Sequence, residues 1–250
     1  MFKKLIILAL FILSAAGVFA QPVRVAVAAN AQFVVKKLAE DFKKKSGIAV
    51  EVISGSSGKL TAQIKNGAPY AIFLSADMDF AQTVFNDGFA LAQPRVYALG
   101  SLIVGSTTGV DVKNWKRYIT TQAPGKIAIA NPKLAPYGKA AEQALRKLQL
   151  YDKAQSRLVF GESISQVNTY VLKGVVNIGF TTASIVYELP AGSNFKWQKI
   201  NPADYQPIKQ GAVLLKYAKD KNYINNKRFF DYLFSASAKS IFRKFGYTTL

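Results

Sequence analysis

The sequence predicts an α/β protein of two lobes, and three observations carry that prediction. Short apolar runs of strand length alternate with amphipathic segments of helical spacing. The alternation is repeated in a second series of similar size, the pattern of a sheet covered by helices on both faces. The C-terminal stretch then adds aromatic-rich helices that have no strands beside them.

Taken in order, Val23, Val25 and Val27 alternate with other residues and lead into Ala28-Ala29-Asn30, a buried strand entering a loop. Val34, Leu38 and Phe42 recur every four residues through a lysine-rich segment that Gly47 stops, which defines an amphipathic helix. Residues 48–53 read as a second strand, 54–58 as a turn, Leu60 and Ile64 as one face of a short helix ending at Asn66-Gly67, and 71–74 as a third strand. The second series has strands at 102–104 and 126–130, a helix over 138–148, a strand at 157–160, a helix over 165–172 and a strand at 175–180. Residues 212–215 form a last strand; the helices carrying Phe229, Leu233 and Phe234, and Ile241, Phe242 and Phe245, are expected to pack back on the first unit. The boundaries read as lobe 1 over 21–97 plus 218–250 and lobe 2 over 98–217, a chain that crosses between lobes and so builds a hinge and a cleft.

The first segment, with Lys3 and Lys4 before an apolar run from Leu5 to Ala16 and small residues up to Ala20, has the form of a secretory signal peptide over 1–20. Its apolar run is shorter than the ~20 residues a membrane-spanning helix needs. The expectation is a periplasmic protein of about 230 residues, enough for two lobes with sizeable cores. Of the formal charge of +19, Lys3 and Lys4 account for two, leaving +17 after the cut. The lysines are dispersed and no helix carries a basic stripe with interleaved aromatics, so no nucleic-acid partner is expected. Zero histidine and zero cysteine exclude the usual zinc and copper sites and the His-dependent nucleophiles. These absences point away from catalysis and toward binding.

Binding chemistry is expected at strand-to-helix junctions, where free N–H groups and the positive end of the helix dipole accept an anion without a charged side chain. Five junctions carry small or polar donors: Ala29-Asn30-Ala31, Gly55-Ser56-Ser57-Gly58, the stretch Asn131 to Gly138 with Pro136 as a helix start, Gly161-Glu162-Ser163-Ile164-Ser165, and Gly179 to Ser184. Asn30 can cap its helix or offer its NH2, and Tyr137 can present its N–H, ring or hydroxyl. Gly58-Lys59 fails as a phosphate loop, because Ile53 stands where the first glycine belongs and Leu60 follows the lysine. Ser56 and Lys59 have the spacing of serine-lysine acyl enzymes, but Lys45-Ser46-Gly47 precedes the serine, where that family's lysine triad follows it.

Ala28-Ala29-Asn30, Ser56 to Leu60, Gly67-Ala68-Pro69 with Phe73 to Asp77, Asn131-Pro132 with Ala135 to Gly138, and Phe242 to Tyr247 together resemble the periplasmic molybdate-binding proteins of molybdate ABC importers over essentially the whole mature chain. The resemblance implies a type II periplasmic binding protein: two α/β lobes with mixed sheets joined by a hinge. It implies an oxyanion site of Asn30, Ser57, Tyr137 and Ile164, with Ala29, Ser56, Ser163 and Thr182 as further candidates. Molybdenum or tungsten would enter only as the oxyanion, with no direct protein ligand and no cofactor. The implied partners are a membrane ABC permease and its ATPase, and the protein is expected to be a monomer and not an enzyme. The chain departs from the family pattern at four places: Asn30 for the commoner Ser, Tyr137 for Ala, Ala71 for Asp, and Thr182 for a ligand-binding Tyr. The same fold holding sulfate, phosphate or an organic acid is the alternative, with a Ser56–Lys59 acyl enzyme behind it.

Overall fold

The computed structural model describes residues 21–121 and 124–250, so the signal segment expected over 1–20 lies outside the described residues. The chain opens with β1 (Val23–Ala28), a 3-10 turn (Ala29–Ala31), α1 (Gln32–Ser46), β2 (Val50–Gly55), α2 (Ser57–Lys65), β3 (Ile72–Leu74), α3 (Met78–Asn86) and β4 (Arg95–Gly100). It continues with β5 (Leu102–Ser106), α4 (Trp115–Thr120), β6 (Ile127–Ala130), α5 (Pro136–Lys147), α6 (Tyr151–Gln155), β7 (Leu158–Gly161), α7 (Ile164–Leu172), β8 (Ile178–Thr182), a 3-10 turn (Ala183–Tyr187) and β9 (Lys196–Lys199). It returns through β10 (Ile208–Leu214) and ends in α8 (Tyr217–Asp220), α9 (Tyr223–Tyr232) and α10 (Ala236–Lys244).

These strands make two five-stranded mixed sheets, ordered β2-β1-β3-β10-β4 and β7-β6-β8-β5-β9. Val23, Val25, Ala26, Val27 and Ala28 are buried, as an interior strand covered on both faces requires. β1 runs parallel to β2, from Val23 opposite Val50 to Ala28 opposite Gly55. Helix α1 buries Val34, Val35, Leu38 and Phe42 and ends at Gly47, whose φ of 73° is the left-handed cap that glycine adopts without strain.

The lobe boundary differs from the one expected. β4 stays in the first sheet as far as Gly100, and β10 pairs antiparallel with both β3 and β4, Val213 facing Phe73 and Ile208 facing Gly100. Residues 98–100 and 208–214 therefore belong to the first sheet and not to a second lobe over 98–217. The crossovers fall at Ser101 and between β9 and β10. Continuity along the chain misassigned β10, because its hydrogen-bonding partners are more than a hundred residues away.

The first sheet has a core on each face. One unites Val23, Val25, Leu38 and Phe42 with Phe229, Leu233 and Phe242, so the C-terminal helices do pack on the first unit. The other holds Leu60, Phe73, Val84 and Val213. The second lobe has one core, built around Ile127, Ile129, Leu145, Val167 and Phe180, and it extends to Ala28 and Ala76 of the first lobe. The lobes meet where strands β1 and β3 end, which is where their junctions with helices begin.

Candidate functional site

Four of the junctions converge there. The cavity between the lobes is walled by Ala28, Ala29, Asn30, Ser56, Ser57 and Ala76 on one side and Ala135, Pro136, Tyr137 and Ile164 on the other. Asn30, Ser57, Tyr137 and Ile164 are thus brought together from both lobes, with Ala29 and Ser56 beside them. Ser163 and Thr182 are not part of the wall. Ser163 is the extended residue preceding α7, and Thr182 ends β8 and caps the following turn by accepting the Ser184 N–H at 3.3 Å.

No charged side chain lines this cavity. Its polarity comes from backbone. Ser57 and Ile164 are the first residues of α2 and α7 and Tyr137 the second of α5, positions whose N–H groups have no intrahelical acceptor. Pro136 suits the first turn of α5 because the N–H it lacks would have been one of these orphans. Three helix N-termini directed at one small space set up a positive potential without any cation. The Ser57 hydroxyl accepts the Ala76 N–H at 3.0 Å, which leaves its own proton to be donated into the cavity. Ser56 caps α2, accepting the Lys59 N–H at 3.3 Å.

Asn30 takes neither role foreseen for its side chain. It lies inside the 3-10 turn, not at a cap position, and its NH2 donates to Gln210 Oε1 at 2.6 Å and reaches the Tyr247 hydroxyl at 3.3 Å. Gln210 Oε1 also accepts from the Tyr97 hydroxyl at 2.9 Å. The Asn30 carbonyl accepts from Tyr247 at 2.6 Å and from Ser184 of the other lobe at 3.0 Å. Gripped on both its amide and its carbonyl, Asn30 holds the 3-10 turn in place.

Tyr137 is fully buried, and its phenol lies close enough to Thr182 and Asn30 for both to lower its pKa, but it makes no hydrogen bond of ordinary length and angle. Burial, reinforced by Tyr247 nearby, pushes its ionisation well above the ordinary tyrosine range. The ring end fits against Gly100 at the first crossover, where a Cβ would lie 2.0 Å from the phenol oxygen. Sequence reasoning missed Gln210 and Tyr97, which bond behind the cavity wall, while Ser184 and Tyr247, the two donors to the Asn30 carbonyl, each end a stretch it had singled out. The one signal was a glutamine inside the apolar run of β10.

The lobes are closed on one another. Gly58 N–H donates to the Leu134 carbonyl across the cleft at 2.9 Å, and the cavity left between the lobes is about 10 Å³, the space of one water-sized sphere. The serine-lysine reading finds no geometry. The Lys59 ammonium pairs with Glu162 at 2.8 Å, while Ser56 is occupied as a cap. Among the described residues no group of acidic, histidine or cysteine side chains could hold a metal ion, and no helix is long and apolar enough to cross a membrane.

A family model described as bacterial extracellular solute-binding protein matches residues 23–248. The chain is 37% identical to the molybdate-binding protein ModA of Azotobacter vinelandii over 91% of this chain and 90% of that one. It is 36% identical to the ModA of Rhodobacter capsulatus over 90% and 87% of the two chains. Among solved structures, the periplasmic molybdate-binding protein of Azotobacter vinelandii superposes with a TM-score of 0.84 at 33% identity, covering 91% of this chain and 99% of that one. A sulfate-binding protein of Mycobacterium tuberculosis shares the fold at a TM-score of 0.74 and 12% identity, covering 91% and 86%. The chain belongs to the bacterial extracellular solute-binding proteins, within the group that the ModA proteins form.

Proposed function

We propose that this protein captures molybdate or tungstate in the interlobe cavity and hands it to a membrane ABC permease driven by its ATPase. The observation that carries the reading is the convergence of main-chain N–H groups and the Ser57 hydroxyl, from two lobes, on a small space without charged walls. A dehydrated dianion there exchanges its water shell for fixed dipoles, each charge-assisted bond contributing about 1.5–3 kcal/mol. The metal stays inside its oxyanion and meets no protein ligand. No bond is made or broken, and no cofactor is needed. The protein works in the periplasm, as a monomer, after losing its signal segment. Relatives named for molybdate at 36–37% identity support the ligand, and the closed lobes support a form that a permease can distinguish from the open one.

Calorimetric titration of ligand-free protein tests the reading. Molybdate and tungstate are expected to bind within about tenfold of each other, and sulfate at least ~100-fold more weakly, about 2.7 kcal/mol. Fixed donors spaced for longer metal–oxygen bonds leave bonds to sulfate stretched. Equal affinity for sulfate and molybdate would move the protein to the other-anion reading.

A further inference from the structure

Two ion pairs cross the cleft, one on each side of the cavity. Lys59 of α2 meets Glu162, which precedes α7, at 2.8 Å, and Lys139 of α5 meets Asp79 of α3 at 2.8 Å. Each lysine stands two residues after a cavity residue, Ser57 or Tyr137, on the same helix. Residues two apart on a helix do not share a face, and neither lysine is part of the cavity wall. Lys139 and Asp79 also line a groove of about 400 Å³ that shares Pro136 with the cavity wall. All four side chains are about half exposed or more.

We infer that the Lys59–Glu162 and Lys139–Asp79 pairs are a latch on the closed cleft, each joining a lysine of one lobe to a carboxylate of the other only when the lobes meet around the anion. The inference rests on the oxyanion reading above. With the lobes apart, both pairs are broken and each lobe presents one lysine and one carboxylate, Lys59 with Asp79 on the first and Lys139 with Glu162 on the second. With the lobes together, both charges are matched and the cage stays neutral. An exposed ion pair adds little to a fold, but these pairs exist only in the closed form, so what they contribute goes into the closing equilibrium.

Stopped-flow mixing of the exported chain with sodium molybdate tests the latch. Replacing both lysines, Lys59→Gln with Lys139→Gln, is expected to speed dissociation at least as much as either carboxylate variant while association stays within about twofold. Glu162→Gln or Asp79→Asn is expected to leave association no slower and to speed dissociation about two- to fivefold, the scale of an exposed pair. The exchange Lys59→Glu with Glu162→Lys rebuilds the latch with its charges reversed, and dissociation should return to within about twofold of the unsubstituted protein. Unchanged dissociation in both carboxylate variants, or in the double lysine variant, overturns the inference while leaving molybdate binding intact. A protein that does not bind molybdate at all overturns the functional reading and this inference with it.

Discussion

Ser57 sets the chemistry of the cavity through one oxygen with two roles. Because it accepts the Ala76 N–H, its proton is directed elsewhere, and the free direction is the cavity. Ser57→Ala removes a donor to the anion and strands a buried N–H, so molybdate affinity measured by calorimetry should fall by about 1–3 kcal/mol and urea melts should show a lower stability. Tyr137 calls for the opposite expectation from the one its sequence position invites. A phenol substituting for the family tyrosine at Thr182 would need to reach the ligand, but this hydroxyl is buried against Gly100 with no partner. A buried hydroxyl without a hydrogen bond is a cost to the fold. Tyr137→Phe should therefore melt no lower than the native protein and keep its affinity within about twofold. A tenfold weaker titration would show the phenol acting on the ligand.

At the scale of elements, the site is a meeting of helix starts, and Gly58 decides how closely two of them approach. A Cβ there would lie 3.1 Å from Leu134 Cα, 3.2 Å from the Leu134 side chain and 3.2 Å from the Phe80 ring. Alanine also favours a helix over glycine by up to about 1 kcal/mol. Gly58→Ala consequently pulls in two directions: the melting temperature of the ligand-free protein should hold or rise, while the lobes close less completely and affinity drops several-fold. Small-angle scattering with and without molybdate, beside the titration, checks the pair of outcomes. A variant that binds as tightly as the native protein would remove the Gly58–Leu134 contact from the closing mechanism. Gly138 shows the same dependence inside one lobe, since a Cβ would lie 2.1 Å from the Ala130 carbonyl and push α5 off β6.

For the whole molecule, closing brings a carboxyl into the contact between the lobes. Glu188 follows the 3-10 turn Ala183–Tyr187, whose Tyr187 ring packs on Gly246 of the other lobe, and burial raises its pKa to about 7 against a partly offsetting hydrogen bond from Ser184. Its value in the unfolded chain is near 4.5. The fold therefore holds a proton that the unfolded chain has released, and this contribution is complete below about pH 4.5 and lost as pH rises through 7. Native protein should lose stability across that window, and Glu188→Gln, neutral at every pH, should lose less of it. Parallel curves for the two proteins in denaturant titrations from pH 5 to 8 would show that the carboxyl is solvated in the native state.

Much of this was legible in the sequence because it depends on local rules. Alternating valines give β1, four-residue spacing gives α1, Gly47 ends it, and polar strand-to-helix junctions mark anion sites, since dipoles and orphan N–H groups belong to every helix start. The junctions were read on that basis, the resemblance to molybdate-binding proteins singled out Asn30, Ser57, Tyr137 and Ile164 among them, and all four wall one cavity. What depended on partners distant in the chain was not legible. β10 belongs to the first sheet because it pairs with β3 and β4, and β9, with four exposed residues at a sheet edge, shows no apolar alternation to find. The direction of each side chain was likewise decided only by packing. Asn30 turns its amide to Gln210 because two lobes hold its carbonyl, and Tyr137 points its phenol at Gly100 because only a glycine leaves that space. Residue identity determined which donors the protein carries, and long-range contacts determined which of them face the cavity.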